Sequence, residues 1–308
     1  MPGKSYAGPL PPLTTVESEL AGCLEGHVVT LAETIGERNV RLPEALEAAA
    51  GYIEKQWAEA GLASHPQHFD CRGVPVRNLA VEIPGSDEPG EIVLIGAHYD
   101  SVMGSPGAND NGSGVAVLLE LSRLFASRPA GRTLRFVAFV NEEPPFFQGP
   151  EMGSLVYARA ARARGDRLAA MLSLETMGCY ADAQRSQQYP FPFSLFYPDT
   201  GNFIGFVGNM SSGRLVRRCT GSFRSHASFP SEGAAVPGWI TGVGWSDHWS
   251  FWQEGYQALM VTDTAPFRYA HYHSPLDTPD RLDYARLARV TRGLECVIGD
   301  LAGGAVSP

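Results

Sequence analysis

The chain has 308 residues, of which 44% are hydrophobic, and its 33 acidic and 24 basic side chains give a formal net charge of −9. This length and apolar content support one large α/β domain or two small ones with a full core. The acidic balance, with no basic cluster to offset it, argues against a nucleic-acid partner. Since no run approaches the roughly 18 apolar residues of a membrane span, we also expect no membrane partner.

The five cysteines are scattered, and none forms a CxxC pair. This pattern indicates reduced thiols in a reducing compartment and no cysteine metal site. The first residues contain no apolar stretch of the signal-peptide kind. We therefore expect a cytoplasmic protein, or a secreted one if a leader preceding the given sequence has been removed. The oligomeric state stays open.

The hydrophobic pattern predicts an extended arm over residues 1–14 and one domain over residues 15–308. In chain order, the predicted elements are helix 15–35, helix 43–61, strand 78–83, strand 91–97, helix 112–127, strand 133–140, helix 151–164, strand 170–175, strand 257–262 and helix 283–302. This alternation favours an α/β protein, a three-layer αβα sandwich whose central sheet is mixed and mostly parallel. Ligands of such sheets bind at the carboxyl ends of the strands.

Acidic and histidine residues directly follow several of these strands. They occur in the segments IGAHYDS (His98, Asp100), GANDNGSG (Asp110), FVNEE (Glu142, Glu143) and LSLETMG (Glu175). Each motif alone is typical of a polar loop, but strand ends converge at one edge of a sheet. Adjacent carboxylates such as Glu142 and Glu143 repel each other when buried and need a cation or a shared proton. The occurrence of all these acidic and histidine residues at strand ends therefore indicates a binding or catalytic site.

Zinc suits this set of residues. It takes imidazole and carboxylate ligands, and its catalytic sites leave one position open for water. Two neighbouring zinc ions need a bridging carboxylate, and one of two adjacent glutamates can bind metal while the other acts as base. A further loop segment, FRYAHYHSPLDTPD, contains His271, His273 and Asp277.

Together, HYDS, GANDNGSG, NEE, SDH (246–248) and YHSPLDT (272–278) resemble the M28 family of metallopeptidases. This family includes leucyl aminopeptidases, glutamate carboxypeptidases and the related glutaminyl cyclases. The resemblance runs from about residue 25 to 300 and implies a zinc-dependent exopeptidase fold and a peptide substrate. It also implies two zinc ions, for which cobalt or manganese could substitute.

The resemblance also implies roles for individual residues. His98, Asp110 and Glu175 would hold one zinc ion, and Asp110, Glu143 and His273 would hold the other, with Asp110 bridging. His273 is favoured over His271 by the register Tyr-His-x-x-x-Asp-Thr.

Further residues would support the chemistry. Glu142 would be the general base, Asp100 would orient the imidazole of His98, and Tyr272 would donate a hydrogen bond to the oxyanion. Asp247 and His248 match the SDH segment of the family and would support the wall of the site.

Glu175 departs from the family pattern, where Asp is common at this ligand position, and this bears on the choice between amino- and carboxypeptidase action. We favour an aminopeptidase, because a carboxylate-rich site attracts a free α-amine. A carboxypeptidase, a glutaminyl cyclase-like acyltransferase and a non-catalytic receptor-like relative are the alternatives. Segments 180–202 and 208–232 are predicted to form the pocket rim, and four aromatic residues indicate apolar preference: Phe191, Phe193, Phe196 and Phe203.

Overall fold

A computed structural model describes residues 1–303. Its helices are α1 (Thr15–Val29), α2 (Pro43–Glu59), α3 (Gly114–Phe125), α4 (Gly153–Arg164), α5 (Gly213–His226), α6 (His248–Gln253) and α7 (Tyr284–Ala302). Its strands are β1 (Gln67–Cys71), β2 (Val74–Ile83), β3 (Glu88–His98), β4 (Arg132–Phe139), β5 (Arg167–Glu175), β6 (Ile204–Gly208), β7 (Ser231–Ala235) and β8 (Ala258–Thr262). No helix among the described residues has the length and apolar character needed to cross a bilayer.

All eight strands form one mixed sheet in the order β1-β2-β4-β3-β5-β8-β6-β7. The central strands β4, β3, β5 and β8 are parallel, whereas β2 and β6 run antiparallel to their neighbours β4 and β8. The carboxyl ends of four adjacent parallel strands therefore meet at one edge of the sheet. Such an edge is where open α/β sheets bind ligands.

Alternating residues of the central strands are buried on both faces of the sheet. In β3, Val93 and Ile95 belong to the core under α1, α2, α3, α5 and α7, while Ile92 and Leu94 belong to the smaller core under α4 and α6. This double burial explains the continuous apolar run in the sequence. The α/β class and the mixed sheet between two helical layers are confirmed.

The secondary structure departs from the prediction mainly in the second half of the chain. Strands β6 and β7 and helix α5 lie between residues 204 and 235, where no helix or strand was predicted. From segment 208–232, which was predicted to form pocket rim, most residues belong to these elements. In α5 the buried residues recur at helical spacing: Leu215, Val216, Cys219, Thr220 and Phe223. This signal was present in the sequence but is diluted by the arginines of the exposed face. The prediction of a single domain over residues 15–308 stays a prediction, and residues 304–308 lie outside the described part of the chain.

Gly153 packs too closely against its neighbours to accept a side chain. A Cβ at this first residue of α4 would lie 2.2 Å from the carbonyl oxygen of Val140 and 2.4 Å from Asn78 Oδ1. We expect Gly153→Ala to lower the free energy of unfolding by about 1–3 kcal/mol, because the backbone after β4 has to move. Urea denaturation measures this change.

Gly51→Ala is the matched control. A Cβ at Gly51, exposed in the middle of α2, would meet nothing within 4 Å. There we expect a stabilisation of about 0.5–1 kcal/mol, since alanine loses less conformational entropy in a helix. Equal effects at the two positions would contradict the close packing at Gly153.

Candidate metal centre

The carboxyl edge of the sheet brings the predicted acidic and histidine side chains together. His98 and Glu175 are the last residues of β3 and β5, and Glu142 and Glu143 follow β4. Two loops supply the remaining predicted ligands: Asp110 from the turn before α3 and His273 from the loop after β8. All of these side chains are buried except that of His273, which is 30% exposed.

Two overlapping groups of ligand atoms share the Asp110 carboxylate. His98 Nε2 lies 3.3 Å from Asp110 Oδ1 and 3.3 Å from Glu175 Oε2. His273 Nε2 lies 3.0 Å from Asp110 Oδ2 and 3.2 Å from Glu143 Oε2. Within each group, the ligand atoms all lie within 4.8 Å of one another. The two groups contain the same residues as the two predicted ligand sets. Asp110 Oδ1 belongs to the group with His98, and Asp110 Oδ2 belongs to the group with His273.

Unsatisfied polar atoms in this cluster fit a bound cation. Among the described residues, His98 Nε2, Asp110 Oδ1 and Glu143 Oε1 are buried and have no hydrogen bond of acceptable geometry. Such atoms are costly unless a partner is supplied. Imidazole nitrogen and carboxylate oxygen are zinc ligands. The donor set therefore fits zinc.

The backbone of Asp100 fixes the ring of His98. His98 Nδ1 donates a hydrogen bond to the Asp100 carbonyl at 3.1 Å, whereas the Asp100 carboxylate lies farther away, with Oδ1 at 3.6 Å. This bond leaves the lone pair of Nε2 free for a metal. The expected orientation of His98 is thus provided by the carbonyl of Asp100.

The carboxylate of Asp100 has a contact that the sequence did not indicate. Its two oxygens accept hydrogen bonds from the backbone N–H groups of Glu142 and Glu143, at 3.1 and 3.2 Å. One side chain therefore fixes the turn that aims both glutamates into the site.

Asp277 anchors the loop that carries Asp110. Its carboxylate accepts hydrogen bonds from the backbone N–H groups of Asn109 and Asp110, at 2.8 and 3.1 Å. The hydroxyl of Tyr269 donates a third, at 2.9 Å. Sequence reasoning placed Asp277 in the last motif without assigning this function.

The SDH segment lies beside the site. Ser246 Oγ donates to Glu175 Oε2 at 2.7 Å, and His248 Nε2 contacts the carbonyl of Val243 at 2.8 Å. Burial lowers the pKa of His248 to about 4. Neither Asp247 nor His248 belongs to a ligand group within the described residues, and the supporting position expected for them stays a prediction.

Without a cation, the clustered charges shift the pKa values of the ligands. Burial raises the pKa of Glu143 to about 8, and the Asp110 carboxylate adds to the effect. Burial opposes the charged form of His273, but its hydrogen bonds to Asp110 and Glu143 raise its pKa to about 10. Burial likewise opposes protonation of His98, yet the nearby carboxylates of Glu175, Asp100 and Asp110 raise its pKa well above the ordinary value. The metal-free centre therefore binds protons at neutral pH.

Tyr272 connects the centre to an apolar cavity. Its ring stacks on that of His273, with centroids 3.9 Å apart and planes 16° apart. Burial and the surrounding carboxylates raise the pKa of Tyr272, so it keeps its phenolic proton as a hydrogen-bond donor.

The apolar cavity has a volume of about 110 Å³ and borders the centre through Glu175 and Tyr272. Besides Tyr272, the aromatic residues of its walls are Tyr189, Phe193, Tyr197, Phe203, Trp245 and Phe267. Of the aromatic residues predicted for the rim, Phe193 and Phe203 line the cavity, while Phe191 and Phe196 are 86% and 76% exposed. From the predicted segment 208–232, only Glu232 reaches it.

Overlapping histidine and carboxylate ligand groups, with a further glutamate beside them, define a metal-dependent hydrolase. The sequence profile of peptidase family M28 matches residues 78–297. The chain belongs to this family and is a zinc-dependent exopeptidase.

Three proteins illustrate the similarity. The chain is 38% identical to YfbL, an uncharacterized protein of Escherichia coli, over 88% of this chain and 85% of that protein. It is 27% identical to a probable aminopeptidase of Saccharomyces cerevisiae, over 82% of this chain and 67% of the yeast protein. It shares its fold with a zinc aminopeptidase from Bacillus subtilis, with a TM-score of 0.72 at 16% identity, over 91% of this chain and 94% of the other.

Zinc binding should release protons. At pH 7 the metal-free protein carries protons on His98 and His273 and mostly also on Glu143, whose pKa is about 8. Zinc takes the unprotonated ligands, so about three protons leave on binding. Since the pKa values of these ligands are raised, the apparent zinc affinity should increase as the pH rises toward about 10, the pKa of His273. Calorimetric titration in buffers of different ionisation enthalpy measures the release. A binding enthalpy that is the same in every buffer would contradict it.

Asp100→Asn should weaken zinc binding by about 10–100-fold, because the amide cannot accept both N–H groups of the glutamate turn. Competition with a chromophoric chelator measures the affinity. Asp87→Asn is the control, since Asp87 is exposed beside the opposite end of β3. An unchanged affinity in Asp100→Asn would show that its contacts to Glu142 and Glu143 do not support the ligands.

Proposed function

We propose that this chain is an aminopeptidase that uses two zinc ions to remove large apolar residues from peptides. The observation that carries the proposal is the Asp110 carboxylate, whose two oxygens face two different histidines, at 3.3 and 3.0 Å. Bound there, zinc would polarise the scissile carbonyl and lower the pKa of water. His98 and Glu175 would hold one ion and His273 and Glu143 the other, with Asp110 between them.

Glu142 is the general base in this proposal. Its side chain is buried and belongs to neither ligand group, and its Oε2 lies 3.9 Å from His98 Nε2. Burial raises its pKa well above the ordinary value, and the Glu175 and Glu143 carboxylates add to the effect. A raised pKa suits a carboxylate that takes a proton from the attacking water and passes it to the leaving amine. Tyr272 would donate its hydroxyl proton to the oxyanion as a hydrogen bond.

The position of the apolar cavity supports attack at the amino end. The cavity borders the centre through Glu175, and a free α-ammonium group is attracted to this carboxylate and to Glu142. The side chain of the first residue would then lie among the aromatic walls. An aromatic or long aliphatic residue fits this environment through its buried apolar area.

Glu142→Gln should keep its zinc and lower kcat by about 10²–10⁴-fold, because glutamine cannot accept the proton. Hydrolysis of leucine p-nitroanilide gives kcat, and metal analysis gives the zinc content. Glu59→Gln, on the exposed surface of α2, is the control and should behave as the unaltered enzyme. Full activity in Glu142→Gln would remove this residue from the mechanism.

Hydrolysis of N-acetylated peptides tests the direction of attack. An aminopeptidase does not hydrolyse these peptides, because their α-amine is blocked, whereas a carboxypeptidase does. Release of ammonia from a peptide with N-terminal glutamine, without peptide hydrolysis, would indicate a glutaminyl cyclase. Hydrolysis of the N-acetylated peptides, or ammonia release of this kind, would overturn the proposal.

A further inference from the structure

A second cavity borders the metal centre and differs in character from the apolar one. It has a volume of about 190 Å³ and reaches the centre through Asp100 and Glu143. The two cavities have no lining residue in common. The walls of the second combine apolar groups with two arginines: Val40, Val74, Met103, Phe146, Arg41 and Arg72.

The two arginines are in different electrostatic situations. Arg72 is already paired, since its Nε lies 3.0 Å from Glu151 Oε2 and its guanidinium lies 5.0 Å from the centre of the Phe146 ring. Arg41 is exposed, and within residues 1–303 its guanidinium has no carboxylate at salt-bridge distance. The wall of this cavity therefore carries, at Arg41, a positive charge that no carboxylate within residues 1–303 compensates.

The backbone that carries Arg41 is fixed to the metal-binding loop. Its N–H donates to Asn39 Oδ1 at 3.1 Å, and Asn39 Nδ2 donates to the carbonyl of Ser101 at 3.2 Å. Beneath them the fully buried Arg38 donates to the carbonyls of Tyr99 and Gly107, at 2.7 and 2.9 Å. The backbone of Arg41 is thus held by the same framework that positions His98, and a fixed backbone lowers the entropy lost on binding a ligand.

We propose that this cavity receives the leaving part of the substrate and that Arg41 binds a carboxylate on it, so that short peptides with a free carboxyl terminus are preferred. The inference rests on the proposed aminopeptidase function. With the first residue in the aromatic cavity beside Glu175, the chain beyond the scissile bond continues on the Glu143 side. Guanidinium and carboxylate groups form charge-assisted, often bidentate hydrogen bonds, while Val74 and Phe146 suit an apolar side chain on the leaving residue.

The test compares three substrates that differ only in the leaving residue: Leu-Ala, Leu-Ala-amide and Leu-Glu-amide. In the unaltered enzyme we expect kcat/KM for Leu-Ala to exceed that for Leu-Ala-amide by about five- to tenfold, mainly through KM. In Arg41→Gln this ratio should fall to near one. The ratio in the unaltered enzyme should also fall at high salt, because the contact is exposed.

Arg214→Gln is the matched control, since it removes the same charge from an exposed position on α5 that lines neither cavity. It should keep the preference for Leu-Ala. Leu-Glu-amide shows whether the carboxylate must be the carboxyl terminus, because its only carboxylate is on the side chain. If kcat/KM for Leu-Glu-amide equals that for Leu-Ala and falls in Arg41→Gln, then Arg41 also binds a side-chain carboxylate. That result would overturn the stated preference for a carboxyl terminus.

Failure of this inference and failure of the proposed function give different results. Leucine p-nitroanilide has no carboxylate, so its hydrolysis tests only the aminopeptidase. If it is hydrolysed while Leu-Ala and its amide react equally, or while Arg41→Gln keeps the preference, the assignment of Arg41 is wrong. If it is not hydrolysed but acetyl-Leu-Ala is, the enzyme is a carboxypeptidase, and the assignment made here falls with the proposed function.

Discussion

The structure depends on a concentration of buried negative charge. Five carboxylates converge beside two imidazoles at the edge of the sheet: Asp100, Asp110, Glu142, Glu143 and Glu175. Like charges that lie this close and out of water repel each other strongly, so the cluster requires protons or cations. The raised pKa values of Glu143 and His273 are the response of the metal-free protein to this requirement. Bound zinc would meet the same need while creating a centre for hydrolysis.

The framework around the cluster is built to hold these side chains against their repulsion. Asp100 and Asp277 each fix two backbone N–H groups of a ligand loop. Arg38 lies underneath, with its guanidinium fully buried among backbone carbonyls. Although burial lowers its pKa to about 10, it remains charged at neutral pH. It therefore places a permanent positive charge near the acidic residues, in addition to joining the loops on either side of Asp100.

The two cavities that border the metal centre differ in chemical character. One is aromatic and meets the centre at Glu175, and the other is partly cationic and meets it at Glu143. A peptide has an ammonium group at one end and a carboxylate at the other, so this asymmetry favours one orientation of a short substrate. In the proposed function, the strand ends would supply the chemistry and the loops beside them would set the direction of substrate binding.

The sequence by itself determined the class of fold and indicated a site at the strand ends, whereas the two ligand sets were implied by the resemblance to the M28 family. Central strands buried on both faces appear as continuous apolar runs, and His98, Glu142 and Glu175 directly follow or end them, so both signals are local. The tertiary structure alone decided that the Asp100 carboxylate holds the glutamate turn, that Asp277 anchors the Asp110 loop, and that the aromatic cavity joins Tyr189 to Trp245. These contacts link residues far apart in the chain, and the cavity is lined in part by β6 and β7, which extend the sheet beyond β8. Short strands and a helix rich in arginine carry weak periodic signals, so their packing, and the cavity that depends on it, could not be derived from the order of the residues.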